Sequence, residues 1–410
     1  MDTHVKEETV KNAKIKRIAW LHSHFLLWAG GTKFVYEVSR RMHQKIPVDM
    51  IVERCSPEMN ERYRREGMSV IEINNRSSTS HWYWLFFPFY LEKDIRRLQE
   101  LKSRYSFFIT SMFPMNYVVY RATAYPYMSY VMEPFAFFHD RDMIHGFPMF
   151  DRILLSVLAQ CYKNLDIEGV QKATVVMTIN RGTADWAREI YCRDAIPSYL
   201  GVDTDFFAPK PNPALIRKYE GKKIIIHSTD FTPLKKTWDA VQIIEVIKNK
   251  IPNLKLLITW SFENARELAR LKRYVQDHDL NDHIEFVGHV SHNDLPYYYS
   301  LADVSLYTGI GRGASAASLF VLECMACGTP GVRTDFTADE IVHELTGFLY
   351  RAGDTRSLEK YLTELLTNDP LRKKFGEEAR KQVLLRYNWD RVVDRILEIL
   401  EKAKQSDGRA

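Results

Sequence analysis

Short apolar runs recur along the chain at intervals that suit alternating strands and helices. In the first half they predict strands over Arg17–Leu21, Val48–Val52, Val70–Ile73, Tyr105–Thr110, Tyr127–Met132, Thr174–Thr178 and Pro197–Leu200. In the second half they predict strands over Lys223–His227, Leu254–Thr259, Ile284–Val287, Val304–Tyr307 and Gly331–Thr334. Many of the segments between them carry the 3.6-residue apolar period of helices. This alternation predicts an α/β protein with parallel, doubly wound sheets, whose ligands bind at the carboxyl ends of the strands.

A stretch rich in Pro and Asp interrupts the alternation at residues 201–213, GVDTDFFAPKPNP. The chain has 410 residues, which is more than a single hydrophobic core usually serves. We therefore predict two domains, residues 1–203 and 204–388, followed by an amphipathic helix over residues 389–410.

The segment 81–105 is unusually aromatic, since seven of the eleven residues from His81 to Leu91 are Phe, Trp or Tyr. A basic helix follows. Aromatic residues beside basic ones suit the interface of an anionic membrane, but they also suit a core element of the first domain. Both interpretations stay open: a peripheral membrane contact through residues 81–105, or internal packing.

Composition and charge narrow the class of protein. The net charge of +5 suits an anionic nucleotide or membrane surface and is too small to indicate nucleic acid as a partner. The first sixteen residues are polar and charged, and no apolar run approaches the ~20 residues that span a bilayer. We expect a cytoplasmic protein, either free or peripheral on the cytoplasmic face of the membrane.

A glycine-rich loop joins a predicted strand to a predicted helix in residues 301–331, LADVSLYTGIGRGASAASLFVLECMACGTPG. Such a loop presents backbone N–H groups and a helix N-terminus to a phosphate. The helix is apolar except for Glu323, whose carboxylate needs a polar partner such as ligand hydroxyls. Cys324 and Cys327 form a CxxC on the same helix, which we interpret as buried core because no second CxxC or spaced histidines accompany it.

This run resembles the donor-binding segment of the family 4 (GT4) retaining glycosyltransferases of GT-B fold. That family carries an acid, seven residues and a second acid; Glu323 matches the second, and Ser315 stands in place of the first. The resemblance implies two Rossmann-like, doubly wound domains facing across a cleft, with the acceptor in the first and the nucleotide-sugar donor in the second. It also implies that helix 389–410 crosses back to complete the first domain. The family's interdomain motif is matched by Gly201, Val202, Asp203 and Phe207.

The resemblance implies a donor site in the second domain. Residues 227–241 are similar to the family's loop with an arginine and, six residues later, a lysine that precedes glycine. Lys235 matches the lysine, while Thr229 takes the arginine position and Lys236 the glycine position. The donor-binding residues implied are Gly30, Gly31, Thr229, Lys235, Lys236, Val287, Gly288, His289, Gly313, Ser315, Ser318, Leu319 and Glu323.

Two segments of the first domain are candidate walls of the site. Gly30 and Gly31, at a predicted strand-to-helix turn, resemble the glycine loop that faces the leaving diphosphate. In YVMEPFAFFHD, residues 130–140, Met132 stands where family members often have histidine, and Glu133, His139 and Asp140 remain as polar candidates. For His139 a contact to the donor sugar and a structural role stay open, and Asp next to a loop is most often a cap or turn residue.

The reaction implied is retaining transfer of a sugar from a nucleotide sugar to a glycan acceptor, which is either free or lipid-linked. The expected catalytic residues are Glu323, Lys235, Ser315 and His139, with no metal and no cofactor other than the donor. The family's usual mechanism lets the departing phosphate oxygen take the acceptor's proton, so no separate general base is expected. Ser315 and Thr229 keep an alternative open, a catalytically silent nucleotide-sugar-binding scaffold. A nicotinamide-dependent enzyme is excluded because WAGGTK lacks G-x-G-x-x-G.

Overall fold

The computed structural model of the protein describes residues 15–26, 30–76, 81–139, 149–260, 264–310 and 319–407. The chain divides into two compact units, of which the first comprises Met1–Tyr199 with Val392–Ala410 and the second Leu200–Arg391. Each unit contains a parallel sheet flanked by helices.

The first unit is built on a seven-stranded parallel sheet with the order β3-β2-β1-β4-β5-β6-β7. Its strands are β1 (Ile18–Phe25), β2 (Val48–Cys55), β3 (Val70–Glu72), β4 (Phe107–Thr110), β5 (Tyr127–Val131), β6 (Val175–Thr178) and β7 (Ile196–Pro197). The strand order reverses between β1 and β4, and the crevice at such a reversal is where doubly wound sheets bind ligands.

Helices cover this sheet: α1 (Gly30–His43), α2 (Pro57–Arg65), α3 (His81–Leu85), α4 (Phe87–Leu101), α5 (Met115–Ala122), α6 (Ala136–His139), α7 (Met149–Gln171) and α8 (Arg181–Tyr191). The helix predicted after Gly30 and Gly31 is confirmed as α1, whose apolar positions Phe34, Val38 and Met42 are buried. The central strands β4 and β5 are buried throughout, which explains their continuous apolar sequence.

The second unit has a six-stranded parallel sheet with the order β10-β9-β8-β11-β12-β13. Its strands are β8 (Lys223–Thr229), β9 (Leu254–Trp260), β10 (Ile284–Gly288), β11 (Val304–Tyr307), β12 (Gly331–Thr334) and β13 (Gly347–Tyr350). The order reverses between β8 and β11. The accompanying helices are α9 (Pro213–Lys218), α10 (Thr237–Ile247), α11 (Ala265–Asp277), α12 (Leu295–Leu301), α13 (Leu319–Ala326), α14 (Thr355–Thr367) and α15 (Asp369–Arg386). The last helix, α16 (Trp389–Asp407), belongs to the first unit from Val392 onward. The predicted α/β class with two doubly wound sheets is confirmed.

The segment after Leu200 is fixed within the second unit. Val202 N donates to Tyr387 O at 2.7 Å, and Asp203 Oδ1 accepts hydrogen bonds from the next turn, at Asp205 N and Phe206 N. A Cβ on Gly201 would lie 2.3 Å from the ring of Trp389. Glycine is therefore required at position 201 by close packing.

The aromatic segment 81–105 is helical and is partly core. Tyr83, Trp84 and Phe87 are buried in the main cluster of the first unit, as the core interpretation expects. Leu85, Phe86 and Phe89 are 65%, 50% and 70% exposed, so part of the segment presents apolar side chains to solvent.

Candidate functional site

Lys235 lies beside the point where the strand order of the second sheet reverses. It closes a single 3-10 turn, Pro233–Lys235, that follows β8. Its Nζ donates to the hydroxyl of Tyr307 at 3.3 Å and lies 5.1 Å from the centroid of that ring. Because Tyr307 ends β11, the ammonium is held at the carboxyl edge between β8 and β11, the position where this class of sheet binds ligands.

Hydrogen bonds tie the loop of Lys235 to the end of β11. Thr308 Oγ1 donates to either Lys235 O or Lys236 O, at 2.8 and 2.9 Å. Ile310 N donates to Leu234 O at 2.9 Å. The two loops thus form one rigid edge that leads into the predicted glycine-rich loop. Gly313, Ser315 and Ser318 lie outside the described residues.

The side-chain hydroxyl of Thr229 is hydrogen-bonded to other groups of the protein. Its Oγ1 is 2.6 Å from Thr237 Oγ1 and accepts a hydrogen bond from Phe231 N at 2.9 Å. The side chain is buried. Where the family carries an arginine, this chain therefore has a hydroxyl that stabilises the turn between β8 and α10.

Lys236 adopts a left-handed backbone conformation with φ of 49° and ψ of 41°. Such a conformation favours glycine, which explains why the family's pattern has glycine at this position. Its side chain is exposed, next to the half-buried Lys235, so the turn carries two adjacent cations.

Glu323 lies in the middle of α13 and is only 7% exposed. Its carboxylate is hydrogen-bonded to the side chain of Tyr299. Burial, and after it the negative charge of this carboxylate, raises the pKa of Tyr299. The hydroxyl of Tyr299 is therefore one of the polar partners that the Glu323 carboxylate was expected to have. Leu319 begins the same helix. Cys324 and Cys327 are free and buried, in agreement with their interpretation as core residues.

Val287, Gly288 and His289 lie at the carboxyl end of β10, where Gly288 has a φ of +94°. A Cβ on Gly288 would lie 3.7 Å from Trp260. Trp260 ends the neighbouring strand β9 and packs on Phe231 with ring centroids 5.3 Å apart. The sequence pattern did not single out this aromatic pair, because strand-end aromatic residues are equally common in cores.

Gly30 and Gly31 form the N-terminus of α1 in the first unit. No described atom lies within 4 Å of a Cβ built on Gly30, and a Cβ on Gly31 would make ordinary contact with Met132 Sδ at 3.6 Å. Neither glycine has a positive φ. The packing of the described residues therefore does not require glycine at positions 30 and 31. The proximity of Gly31 to Met132 also shows that the two predicted wall segments lie side by side.

His139 belongs to a buried hydrogen-bond network. Its Nε2 lies 2.9 Å from Asp166 Oδ2, which also accepts a hydrogen bond from Tyr191 OH at 2.8 Å. Asn116 Nδ2 donates to Asp166 Oδ1 at 2.8 Å. The His139 side chain is 5% exposed, so the structure favours the structural role for this residue. Glu133 is exposed, and Asp140 lies outside the described residues.

Polar side chains that the sequence pattern did not predict cluster where β1 and β4 separate. His22 Nδ1 lies 2.8 Å from Ser111 Oγ, which accepts a hydrogen bond from Trp20 Nε1 at 3.0 Å. Burial, together with the neighbouring His24, lowers the pKa of His22 to about 3, so its imidazole is neutral at pH 7. The only sequence signal was the alternation of His22, Ser23 and His24 directly after an apolar run.

Neither a cluster of metal ligands nor a membrane-spanning helix occurs in the part of the chain that the structure describes. No group of three or more His, Cys, Asp or Glu side chains there is arranged to hold a metal ion. None of the described helices combines the length and apolarity that a bilayer crossing requires.

Residues 211–382 match the family model described as "Glycosyl transferases group 1". The N-acetyl-alpha-D-glucosaminyl L-malate synthase of Bacillus anthracis is 25% identical over 56% of this chain and 60% of its own length. A GDP-mannose-dependent alpha-(1-6)-phosphatidylinositol monomannoside mannosyltransferase of Mycobacterium tuberculosis is 23% identical over 49% of this chain and 54% of its own. The matches thus span only about half to three fifths of these curated relatives.

Among solved structures, Anabaena HepE in complex with UDP has the same fold, with a TM-score of 0.74 at 13% identity over 94% of this chain and 100% of that one. The family match covers most of the second unit, and the fold match covers nearly the whole chain. Together with the motif around Glu323, these similarities confirm the resemblance of the chain to the GT-B glycosyltransferases: residues 211–382 match the group 1 family model, and nearly the whole chain shares the fold.

Proposed function

We propose that the protein is a retaining glycosyltransferase that moves a sugar from a nucleotide-sugar donor to a glycan acceptor. The observation that supports this most is the position of Lys235. Its ammonium is held at the carboxyl edge of the second sheet, at the reversal of strand order, inside the segment that matches the glycosyltransferase family. A fixed cation at this edge suits a phosphate.

Each candidate residue of the second unit has a proposed role. Lys235 neutralises the diphosphate as it leaves, which is the main electrostatic task of this reaction. Glu323, oriented by Tyr299, accepts hydrogen bonds from donor hydroxyls. The backbone at Val287, Gly288 and His289 contacts the nucleotide base, with Trp260 alongside. Gly313, Ser315, Ser318 and Leu319 belong to the proposed phosphate loop and helix start.

The proposed reaction needs no metal, because Lys235 and backbone N–H groups compensate the charge that develops on the phosphate. The bond from the anomeric carbon to the phosphate oxygen breaks, and the acceptor oxygen bonds to the same face of the sugar. The departing phosphate oxygen takes the acceptor's proton. In the first unit, Gly30 and Gly31 leave the N-terminus of α1 accessible to an anionic group.

One observation favours the alternative of a silent nucleotide-sugar-binding scaffold. Thr229 is committed to Thr237 and the Phe231 backbone, so the arginine of the family pattern has no replacement at that position. A scaffold binds the donor without transferring or hydrolysing it.

A thermal-shift panel of UDP, GDP, ADP, CMP and dTDP, with the matching nucleotide sugars, tests the proposed donor site. We expect one nucleotide to raise Tm selectively. Lys235→Ala is expected to weaken its binding about tenfold or more, as the loss of a hydrogen bond to a charged group predicts. Lys250→Ala, which removes a surface lysine paired with Glu359, is the matched control. A panel without any shift would contradict the proposal.

A turnover assay distinguishes the proposed glycosyltransferase from the alternative of a catalytically silent scaffold. Slow hydrolysis of the bound nucleotide sugar, or transfer to added glycan acceptors, is expected of the enzyme. Selective binding with neither reaction would favour the scaffold.

We also propose that the acceptor is lipid-linked and that the first unit contacts the membrane through Leu85, Phe86 and Phe89. These side chains are at least half exposed, whereas Tyr83, Trp84 and Phe87 of the same segment are buried in the core of the first unit. The exposure of Leu85, Phe86 and Phe89 is therefore not caused by the absence of a core beside them. Apolar and aromatic side chains of this kind insert at membrane interfaces.

Vesicle flotation tests the membrane proposal. The protein is expected to float with vesicles in which about one third of the lipid is anionic, and Leu85→Ser with Phe89→Ser is expected to abolish flotation. Leu384→Ser with Leu385→Ser, which alters two exposed leucines of α15, is the control. Absence of flotation by the wild-type protein would end the proposal.

A further inference from the structure

An arginine with no exposed surface lies on the strand next to Tyr307. Arg333 of β12 is 0% exposed, which is rare for arginine unless the side chain is paired. It is paired with Glu340, and it donates to Thr334 O at 3.1 Å and Phe336 O at 2.9 Å. Burial lowers the pKa of Arg333 to about 10, so the guanidinium remains charged at pH 7.

The sheet register places Arg333 against the ring of Tyr307. The two residues are direct partners on the neighbouring strands β11 and β12, and Arg333 Cζ lies 4.9 Å from the ring centroid. Lys235 Nζ lies 5.1 Å from the same centroid and donates to the Tyr307 hydroxyl at 3.3 Å. One aromatic ring thus contacts two cations, of which only Lys235 can reach a ligand.

The contact with Tyr307 restricts the side chain of Lys235. A lysine is otherwise a flexible point charge with high side-chain entropy. A lysine held against a fixed ring and hydroxyl loses less entropy when it meets an anion. Arg333 cannot touch a ligand itself, because it is fully buried and its charge is offset by Glu340. Its contact with Tyr307 can act only through the position of the ring and, through it, of Lys235.

We propose that Tyr307 and Arg333 are positioning residues that hold Lys235 in place for the terminal phosphate of a nucleoside diphosphate. This inference rests on the proposed function. It also bears on the threonine at position 229, where the family pattern has an arginine: the chain strengthens Lys235 through internal packing, with a hydroxyl in place of that second cation.

Tyr307→Phe tests the inference with the smallest change, since it keeps the ring and removes the hydroxyl that contacts Lys235. Binding of UDP, UMP, GDP and GMP is measured by calorimetry. We expect the affinity for the preferred diphosphate to fall about fivefold to tenfold, the loss typical of one intramolecular hydrogen bond, while the affinity for its monophosphate stays unchanged.

Tyr219→Phe is the matched control for this variant. Tyr219 is also a buried tyrosine of the second unit, it carries a lysine over its ring (Lys218 Nζ at 4.7 Å from the centroid), and its hydroxyl donates to Glu285 at 3.1 Å. Its partner Glu285 belongs to the edge strand β10, away from the reversal between β8 and β11. Neither diphosphate nor monophosphate affinity is expected to change.

Arg333 is tested by the double variant Arg333→Met with Glu340→Leu, which removes both buried charges and avoids leaving one unpaired. The expected result is the same selective loss of diphosphate affinity. Arg372→Met, which breaks the partly exposed pair with Asp303, is the control. If the double variant does not fold, the result for Tyr307→Phe decides the question.

A Lys235→Met background separates positioning from a merely structural role. In that background Tyr307→Phe is expected to cause no further loss of diphosphate affinity, because the group that it positions is gone. Equal losses for diphosphate and monophosphate, or wild-type affinity in Tyr307→Phe, would overturn the inference and leave the proposed function standing. If the wild-type protein binds none of UDP, GDP, ADP, CMP and dTDP, the proposed function and the inference fail together.

Discussion

Lys236 shows at the scale of one residue how the chain departs from its family pattern at a cost in stability. Its φ of 49° lies in the left-handed region, and it precedes α10 without a side-chain capping bond. A non-glycine residue in this region carries about 1 kcal/mol or more of strain. The added positive charge beside Lys235 is the compensating feature.

Replacing Lys236 with glycine is expected to raise the free energy of unfolding by about 0.5–1 kcal/mol, since the relief of strain exceeds the larger entropy of the unfolded glycine chain. Urea unfolding measures the change. Lys248→Gly is the control, because Lys248 has ordinary right-handed helical angles and glycine is expected to destabilise there. Equal effects of the two variants would contradict the interpretation of strain.

A second residue-scale prediction concerns two carboxyl groups with no exposed surface, Glu53 of β2 and Asp94 of α4. Glu53 accepts a hydrogen bond from Tyr83 OH at 2.6 Å. Burial and the neighbouring Asp94 raise the pKa of Glu53 well above its ordinary value of 4.5. Burial raises the pKa of Asp94 from 3.8 to about 7.

Because the native state keeps these protons to higher pH than the unfolded chain, their contribution to stability is complete below about pH 4 and falls as pH rises toward 7. The slope is about 1.4 kcal/mol per pH unit for each such group. Asp94→Asn is expected to make this fall shallower, measured as Tm between pH 4 and 8. Asp185→Asn, at an exposed position of α8, should leave the slope as in the wild type.

At the scale of elements, the apolar pattern predicted most strands, and their ends were set by contacts that the pattern does not contain. β1 runs on to Phe25 through His22, Ser23 and His24, because their buried partners around Ser111 lie about 90 residues away. The predicted strand Pro197–Leu200 was wrong in extent: pairing covers only Ile196–Pro197. β13 was missed altogether. β13 pairs with β12, and Gly347 lies directly opposite Gly331, so close that a Cβ on Gly347 would lie 2.1 Å from Gly331 O.

The candidate site shows the same division between local pattern and distant contact. Lys235 and Thr229 were found because one segment resembles the family pattern, and Glu323 because it is the one acid on an apolar helix that also matches that pattern. Tyr307 and Arg333 were not, because each belongs to an apolar strand in the sequence pattern. The contact of Tyr307 with Lys235, and that of Arg333 with Tyr307, depend on the arrangement of segments that are distant in sequence.

The packing of α15 against the end of α13 supports a prediction about one helix contact. A Cβ on Gly376 would lie 2.1 Å from Gly328 O, so backbone must move to admit it. Gly376→Ala is expected to destabilise the protein by about 1–3 kcal/mol, despite the helix propensity that alanine adds. Chemical unfolding of the variant provides the measurement, and unchanged stability would show that the contact is loose.

For Gly30, at the N-terminus of α1, we expect the opposite effect of an alanine substitution on stability. A Cβ on Gly30 meets no described atom within 4 Å, so Gly30→Ala is expected to leave the free energy of unfolding unchanged or slightly higher. If this glycine admits a ligand, the same variant lowers turnover with the nucleotide sugar. A fall in stability together with turnover would point to packing and not to ligand access.

At the scale of the whole molecule, the second unit is a continuous segment, Leu200–Arg391, whereas the first unit is made from both ends of the chain. From the C-terminal end, α16 contributes the buried residues Val392, Val393, Ile396 and Leu400, and Asp394 pairs with Lys45. Removal of residues 392–410 is therefore expected to lower the thermal stability of the first unit severely, while a fragment of residues 200–391 retains a cooperative unfolding transition. Calorimetry of the two fragments measures this.

This division of the chain also determines the order in which the protein can form during synthesis. At the ribosome, the first sheet emerges before the second, yet the helix that completes its unit is translated only after the whole second unit. At roughly 5–20 residues per second, the nascent first unit waits about 10–40 seconds with the surface for that helix uncovered. The second unit, by contrast, needs no segment that is translated after Arg391. A late helix of this kind makes the completed first unit a marker that the whole second unit has already been translated.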